Sequence, residues 1–508
     1  MLLACGGAAV AVLAHDPRLR YGAGAVALVA SPALVAGDVW HTARFVELRH
    51  DATQLAALIA AVAMGIVGGA ALFRRVPWAF PVSAFAVLPL RLPMQIGGET
   101  SHLLVPLYLV IAAGFACFAY EALAPRQGGP RLRPDGRPAK PDDRSALTWL
   151  ERLLAATLIL YAIQSAYSAD VSNAIENAAF FLVPFAVMFV LLREVRWTPR
   201  LLGGVLIAVA GIGLVFAAIG FAEYAARDLI LSRGDLLQSN QLHLYFRVNS
   251  LFYDPNVFGR YLALAVVALG AYMGWSRGVA APVLAAAVSG ILLAALTLTY
   301  SITSIAALVV GLLAVVALRW SLRWALAGGA VILACGAVFL LVSGTGEADL
   351  GSAKNFDTTT SGRVDLVEGG IQLAGDRPVW GWGSGSFGAA FSRHIERAKT
   401  TVSHSEPITV GAEQGAIGLL VYVPLVVVAL ILLLRGAARS AGAAAVAACF
   451  VAMLVHSLGY AGWTTDPATW ALLGVGAGLA GRRWRPAAPA ADAAADATPP
   501  RRRRAAAV

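Results

Sequence analysis

Long apolar runs recur along almost the whole chain, separated by short polar segments. A bilayer core takes about 20 apolar residues per helix. The pattern therefore predicts spans near residues 21–36, 53–73, 77–96, 103–122, 147–165, 174–192, 201–223, 257–275, 279–298, 302–318, 324–343, 415–434, 441–459 and 467–481. That makes about 14 transmembrane helices in an all-α polytopic membrane protein. Residues 1–14 form a further, short apolar run that leaves open an additional span and lacks the basic start of a secretory signal.

The polar segments alternate in charge. Arg18 and Arg20, Arg74 and Arg75, the Arg- and Lys-bearing segment from Arg126 to Arg144, Arg193 to Arg200, Arg277, Arg319 and Arg323, Arg435 and Arg439, and the tail arginines all fall on one side of that span list. Short cytoplasmic loops carry such an excess of Lys and Arg. The other set of loops, which includes 226–255 and 344–414, then faces outward. The chain divides into N-terminal spans (residues 1–122), a cytoplasmic Pro- and Arg-rich linker (123–146), a central bundle (147–343), a large extracytoplasmic loop (344–414), C-terminal spans (415–481) and a basic cytoplasmic tail (482–508) whose composition predicts disorder.

Composition agrees with this layout. Of 508 residues, 59% are hydrophobic and 13% charged, against about a quarter charged in soluble domains, so a soluble enzyme is excluded. The net charge of +10 raises the question of nucleic acid, but the arginines sit in short loops and the tail, so no nucleic-acid partner is expected; membrane lipids are. Cys5, Cys117, Cys335 and Cys449 lie far apart in apolar runs and read as buried, inert thiols.

Seventy residues between two spans is long for a compact protein and marks the loop 344–414 as the place for chemistry. Its sequence predicts a helix from Arg363 to Ala374, with N-cap candidates at Thr358 to Ser361 and a stop at Asp376-Arg377-Pro378. Trp380-Gly381-Trp382-Gly383-Ser384-Gly385-Ser386-Phe387 reads as a tight turn that sets both tryptophans at the membrane interface. A second helix is expected over Phe387 to Ala398 and a third after His404-Ser405-Glu406-Pro407. Gly383, Gly385 and Gly388 have dinucleotide-motif spacing, but no βαβ unit can surround them here, so the match is coincidental.

Gly362-Arg363, Asp376-Arg377-Pro378-Val379-Trp380-Gly381-Trp382-Gly383, His404-Ser405 and Ala412-Glu413-Gln414-Gly415-Ala416-Ile417-Gly418 together resemble the O-antigen ligase/polymerase superfamily. Arg247-Val248-Asn249-Ser250-Leu251-Phe252-Tyr253-Asp254-Pro255-Asn256 resembles a second family stretch, and the likeness covers roughly residues 200–435. It implies a GT-C-like bundle in the cytoplasmic membrane of a bacterium and a metal-independent inverting glycosyltransferase. The donor would be a glycan on undecaprenyl pyrophosphate, the acceptor a glycan, lipid or protein hydroxyl, and no cofactor is expected.

By the same resemblance Arg247 and Arg363 clamp the pyrophosphate, as guanidinium suits phosphate oxygens. His404 accepts the acceptor's proton. Arg377, Arg260, Asn256, Tyr253 and Glu413 are candidate substrate-binding residues. Asp254-Pro255-Asn256 also reads simply as a helix-capping turn. Thr299-Tyr300-Ser301-Ile302 departs from the family, which often has Arg where Ile302 stands; Arg260 or Arg377 are the candidates to supply that charge. Arg91 and His456 are ionisable groups in or beside spans with no motif around them. A multi-pass transporter and a catalytically silent envelope scaffold are the competing readings.

Overall fold

The computed structural model describes residues 1–42, 45–46, 50–96, 99–124, 141–231, 236–237, 240, 245–342, 363–395 and 403–481. Among these the elements are α1 (Leu2–Leu13), α2 (Pro17–Asp38), α3 (Ala52–Arg75), α4 (Ala79–Val87), β1 (Leu92–Ile96), β2 (Glu99–Leu103), α5 (Val105–Leu123), α6 (Pro141–Gln164), α7 (Val171–Asn177), α8 (Val183–Glu194), α9 (Pro199–Ala226), α10 (Pro255–Trp275), α11 (Ala280–Thr297), α12 (Ile302–Arg319), α13 (Leu322–Val342), α14 (Arg363–Asp376), α15 (Phe387–His394), α16 (Glu406–Leu434), α17 (Ala441–Ser457) and α18 (Pro467–Gly481). Ten helices among the described residues are long and apolar enough to cross a membrane. Leu2–Leu13, Leu322–Cys335, Ala441–Ser457 and Pro467–Gly481 are shorter apolar helices. The chain is a multi-pass membrane protein.

Helix starts follow local chemistry. Asp16 and Asp51 cap α2 and α3, Thr198 caps α9 and Asp254 caps α10, each accepting a backbone N–H from the first turn. Proline in the first turn of α2, α9, α10 and α18 costs no hydrogen bond, because those N–H groups have no partner within the helix. The core is the seam between α10, α12 and α17 together with the packing of α18 on α8. At the arginine-rich end Arg193 and Glu151 pair, Arg20 pairs with Glu194, and both arginines also reach the backbone at the end of α1.

Four expectations need correction. The run 77–96 is not a span. It forms the nine-residue α4, an irregular stretch around Pro89, and then a hairpin in which Leu92 pairs with Leu103 and Ile96 with Glu99. Pro89 and Pro93 stop an apolar run from continuing as a helix, a feature that hydropathy alone does not register. Non-helical backbone at membrane depth is tolerated where it lines a cavity, and Leu88, Pro89 and Arg91 do line one. Next, α6 starts at Pro141, inside the segment read as linker. Third, Cys335 is exposed, whereas Cys5, Cys117 and Cys449 are buried. Last, α15 ends at His394, short of Ala398. The N-cap candidates Thr358 to Ser361 lie outside the described residues.

Candidate functional site

The segment from Arg363 to Gln414 is held against the bundle by backbone hydrogen bonds. Trp382 N–H donates to the Ala412 carbonyl and Gly383 N–H to that of Glu413, while Ala169 N–H donates to the Trp382 carbonyl. Gly383 has φ +96, and a Cβ there would sit 2.3 Å from Ser168 Cα, so this turn can press onto the start of α7 only as glycine. Gly415 breaks α16 at φ 64, ψ −160, and the N–H groups of Ala416 and Ile417 turn to the carbonyls of Pro378 and Val379. Glu413 accepts the N–H groups of Gly385 and Phe387. Its carboxylate therefore organises the glycine turn. Trp382 is buried, with Arg377 stacked 3.9 Å above its ring, so only Trp380, 61% exposed, is placed as an interfacial tryptophan would be.

Arg247 lies across the turn between α11 and α12. Asn240 grips its backbone on both sides, Arg247 Nε donates to the Thr299 carbonyl at 3.0 Å, and Nη2 reaches Asn256 Oδ1 at 3.5 Å. The connection leading to it is tied down by the buried Glu223, which accepts the N–H groups of Ile230, Asn249 and Ser250. Asn256 is placed by the Asp254 cap, whose carboxylate accepts its N–H at 2.6 Å. The helix-capping turn is thus present, and it sets Asn256 beside Arg247.

From Asn256 a buried polar chain runs inward. Ser301 Oγ donates to Asn256 Oδ1 at 2.8 Å, Ser301 and Ser304 hydroxyls lie 2.8 Å apart, and Ser304 Oγ is 3.2 Å from His456 Nε2. The His456 ring faces Tyr460 at 5.7 Å, and Tyr460 faces the His404 ring at 5.8 Å. His404 itself holds a left-handed backbone, φ 60, which costs on the order of 1–3 kcal/mol for a non-glycine residue and persists only where the surroundings impose it. Burial first, then Tyr253 and Asp254, push the Tyr460 hydroxyl above its ordinary range, so it stays protonated.

Arg260 pairs with Asp466, both nearly inaccessible at 5% and 6%, and its guanidinium lies 5.9 Å from the Tyr460 ring. Asp466 caps α18 with its other oxygen. Glu406, at the start of α16, accepts N–H groups from Gly462, Trp463 and Thr464 and the Thr464 hydroxyl, and so fixes the loop that carries Tyr460 and Asp466. Arg91 stands over Tyr253 at 4.9 Å. The structure therefore gathers Arg247, Asn256, Tyr253, Arg260 and His404 around one polar cluster, with Arg377 and Glu413 in the neighbouring glycine turn. Arg363 opens α14; its side chain lies outside the described residues.

A groove of about 390 Å³ adjoins this cluster and counts Arg91, Arg260 and Asp466 among its lining residues. It continues between α9, α10 and α17 past Tyr261, Val209 and Leu206 to Trp197 and Ser440 near the arginine-rich end. Sequence reasoning missed Ser301, Ser304, Glu406, Tyr460 and Asp466 and left His456 and Arg91 unassigned. The available signals were an intramembrane histidine and the Gly459-Tyr460-Ala461-Gly462-Trp463 run before Asp466-Pro467. Ile302 is 77% exposed at the start of α12 and faces away from the chain of hydroxyls.

A search of the curated proteins finds no match to the chain. Residues 287–423, which carry Ser301, Ser304, His404 and Glu406, match the family model described as O-antigen ligase, which supports the resemblance to the O-antigen ligase/polymerase superfamily.

Proposed function

We propose that the protein is a membrane glycosyltransferase of the O-antigen ligase or polymerase type. It transfers a glycan from undecaprenyl pyrophosphate to an acceptor hydroxyl at the outer face of a bacterial cytoplasmic membrane. The observation that carries this reading is a buried hydrogen-bonded chain from Arg247 to His456, with the Tyr460 ring packed between His456 and His404, beside an apolar groove. An anionic head group and a long hydrocarbon tail need those two environments side by side.

In the proposed reaction the acceptor oxygen attacks the anomeric carbon from the face opposite the leaving group, inverting it. The bond from that carbon to the pyrophosphate oxygen breaks, and its electron pair leaves with the diphosphate. His404 takes the acceptor's proton. Arg247 and Arg363 stabilise charge developing on the leaving group, without a metal. Arg260 is already neutralised by Asp466, so it shapes the groove wall, and Arg91 supplies further positive charge there. Arg377, stacked on Trp382, braces the glycine turn.

Substituting Arg247 or His404 by Ala abolishes glycan transfer in membranes while leaving abundance unchanged. Transfer at normal rates in both variants contradicts the assignment. The non-helical stretch around Pro89 beside the groove and the intramembrane His456 favour a transporter as a second reading, since transporters build sites from irregular backbone and ionisable groups within the membrane. A transporter cannot cleave a lipid-linked glycan in detergent, where no gradient exists, and neither can a silent scaffold.

A further inference from the structure

The proposed function leaves His456 without a role, yet it is fully buried, sits in the α10–α12–α17 seam, and terminates the chain of hydroxyls that ends on Asn256. The direction of that chain can be worked out. Asn256 Oδ1 is an acceptor and receives both Ser301 Oγ–H at 2.8 Å and Arg247 Nη2–H at 3.5 Å. Having donated its only proton, Ser301 can only accept: from the Ser304 hydroxyl at 2.8 Å, its shortest remaining contact, and at longer range from the Thr303 hydroxyl at 3.3 Å and the Ser304 N–H at 3.4 Å. Ser304 lies 2.8 Å from Ser301 and 3.2 Å from the Asn256 backbone carbonyl, so the shorter contact takes its proton. Ser304 is then left to accept, and its partner at 3.2 Å is His456 Nε2.

We infer that His456 is a positioning residue for Arg247. It donates Nε2–H into a one-way chain, His456 to Ser304 to Ser301 to Asn256, which holds the Asn256 amide with its oxygen toward the guanidinium. Without that chain the amide is free to turn over, and its NH2 group then faces Arg247, donor against donor. The donor role needs a proton on Nε2, which both the charged imidazole and one neutral tautomer carry. This inference rests on the reading of Arg247 as a diphosphate ligand.

The test uses the full-length protein in detergent and compares binding of undecaprenyl pyrophosphate with binding of undecaprenol, which has the same tail and no diphosphate. His456→Leu lowers the preference for the diphosphate about tenfold, the size of one hydrogen bond to a charged group, and leaves undecaprenol binding unchanged. His456→Gln, which keeps a donor near the same place, restores the preference. In an Arg247→Ala background His456→Leu has no further effect. If His456→Leu does not accumulate, Ser301→Ala breaks the same chain closer to Asn256 and gives the same readout. An unchanged preference in His456→Leu or Ser301→Ala, an equal loss for both lipids, or an added loss in the Arg247→Ala background overturns the positioning role. An Arg247→Ala protein that still prefers the diphosphate as strongly as wild type overturns the reading of the site itself.

Discussion

At the residue scale, the site is built from charges that are mostly committed before any substrate arrives. Arg260 is locked to Asp466 and Arg247 spends one N–H on the Thr299 carbonyl. Such pairing keeps the guanidinium groups in fixed places. It also makes them sensitive to loss of a partner, because a buried charge left alone costs about 3–5 kcal/mol. Asp466→Ala should therefore lower the melting temperature in detergent sharply, whereas Arg260→Met combined with Asp466→Leu should recover most of it. Equal destabilisation by the single and the double replacements contradicts the pairing argument. Asn256, Tyr253 and His404 were legible in the sequence because they stand in contiguous motifs. His456 was not. It lies in an apolar run with no local pattern, and Ser304 and Asn256 reach it only through packing of three helices that are distant in sequence.

At the element scale, periodicity and caps placed most helices, and the glycine turn of the large loop was visible from its composition. The segment 77–96 was misread because an apolar run is silent about whether its backbone can stay helical. The misreading matters, since the break around Pro89 helps form the groove. Bulk added there tests the groove's use. Val209→Trp should slow transfer from a long polyprenyl donor about tenfold more than from a short-tailed analogue, the equivalent of two buried methylene groups. The same slowing for both tail lengths removes the groove from the account. The glycine turn gives a second check. Gly383→Ala forces a Cβ to within 2.3 Å of Ser168 Cα at a φ of +96, and should cost at least about 1 kcal/mol, read as a lower melting temperature together with lost transfer.

At the scale of the whole molecule, one polarity organises everything. Ion pairs among Arg20, Glu194, Arg193 and Glu151 gather at the arginine-rich end, and the polar chain and the glycine turn gather at the other. The groove runs between the two ends. The matched segment 287–423 supplies one half of the polar chain, and α10 and α17 supply the other. The sequence pattern conveyed the polarity through its alternating loops, because charge cannot be hidden in a bilayer. It did not convey which loops meet, because that depends on helix packing.

The most direct measurement is release of undecaprenyl pyrophosphate from a purified lipid-linked glycan, with an acceptor glycan present, by the protein in detergent without added metal. The account predicts release by wild type, coupled one for one to glycan appearing on the acceptor, and none with His404→Ala or Arg247→Ala. Intact donor after incubation with folded wild-type protein and both substrates, or undiminished release by the two variants, contradicts it.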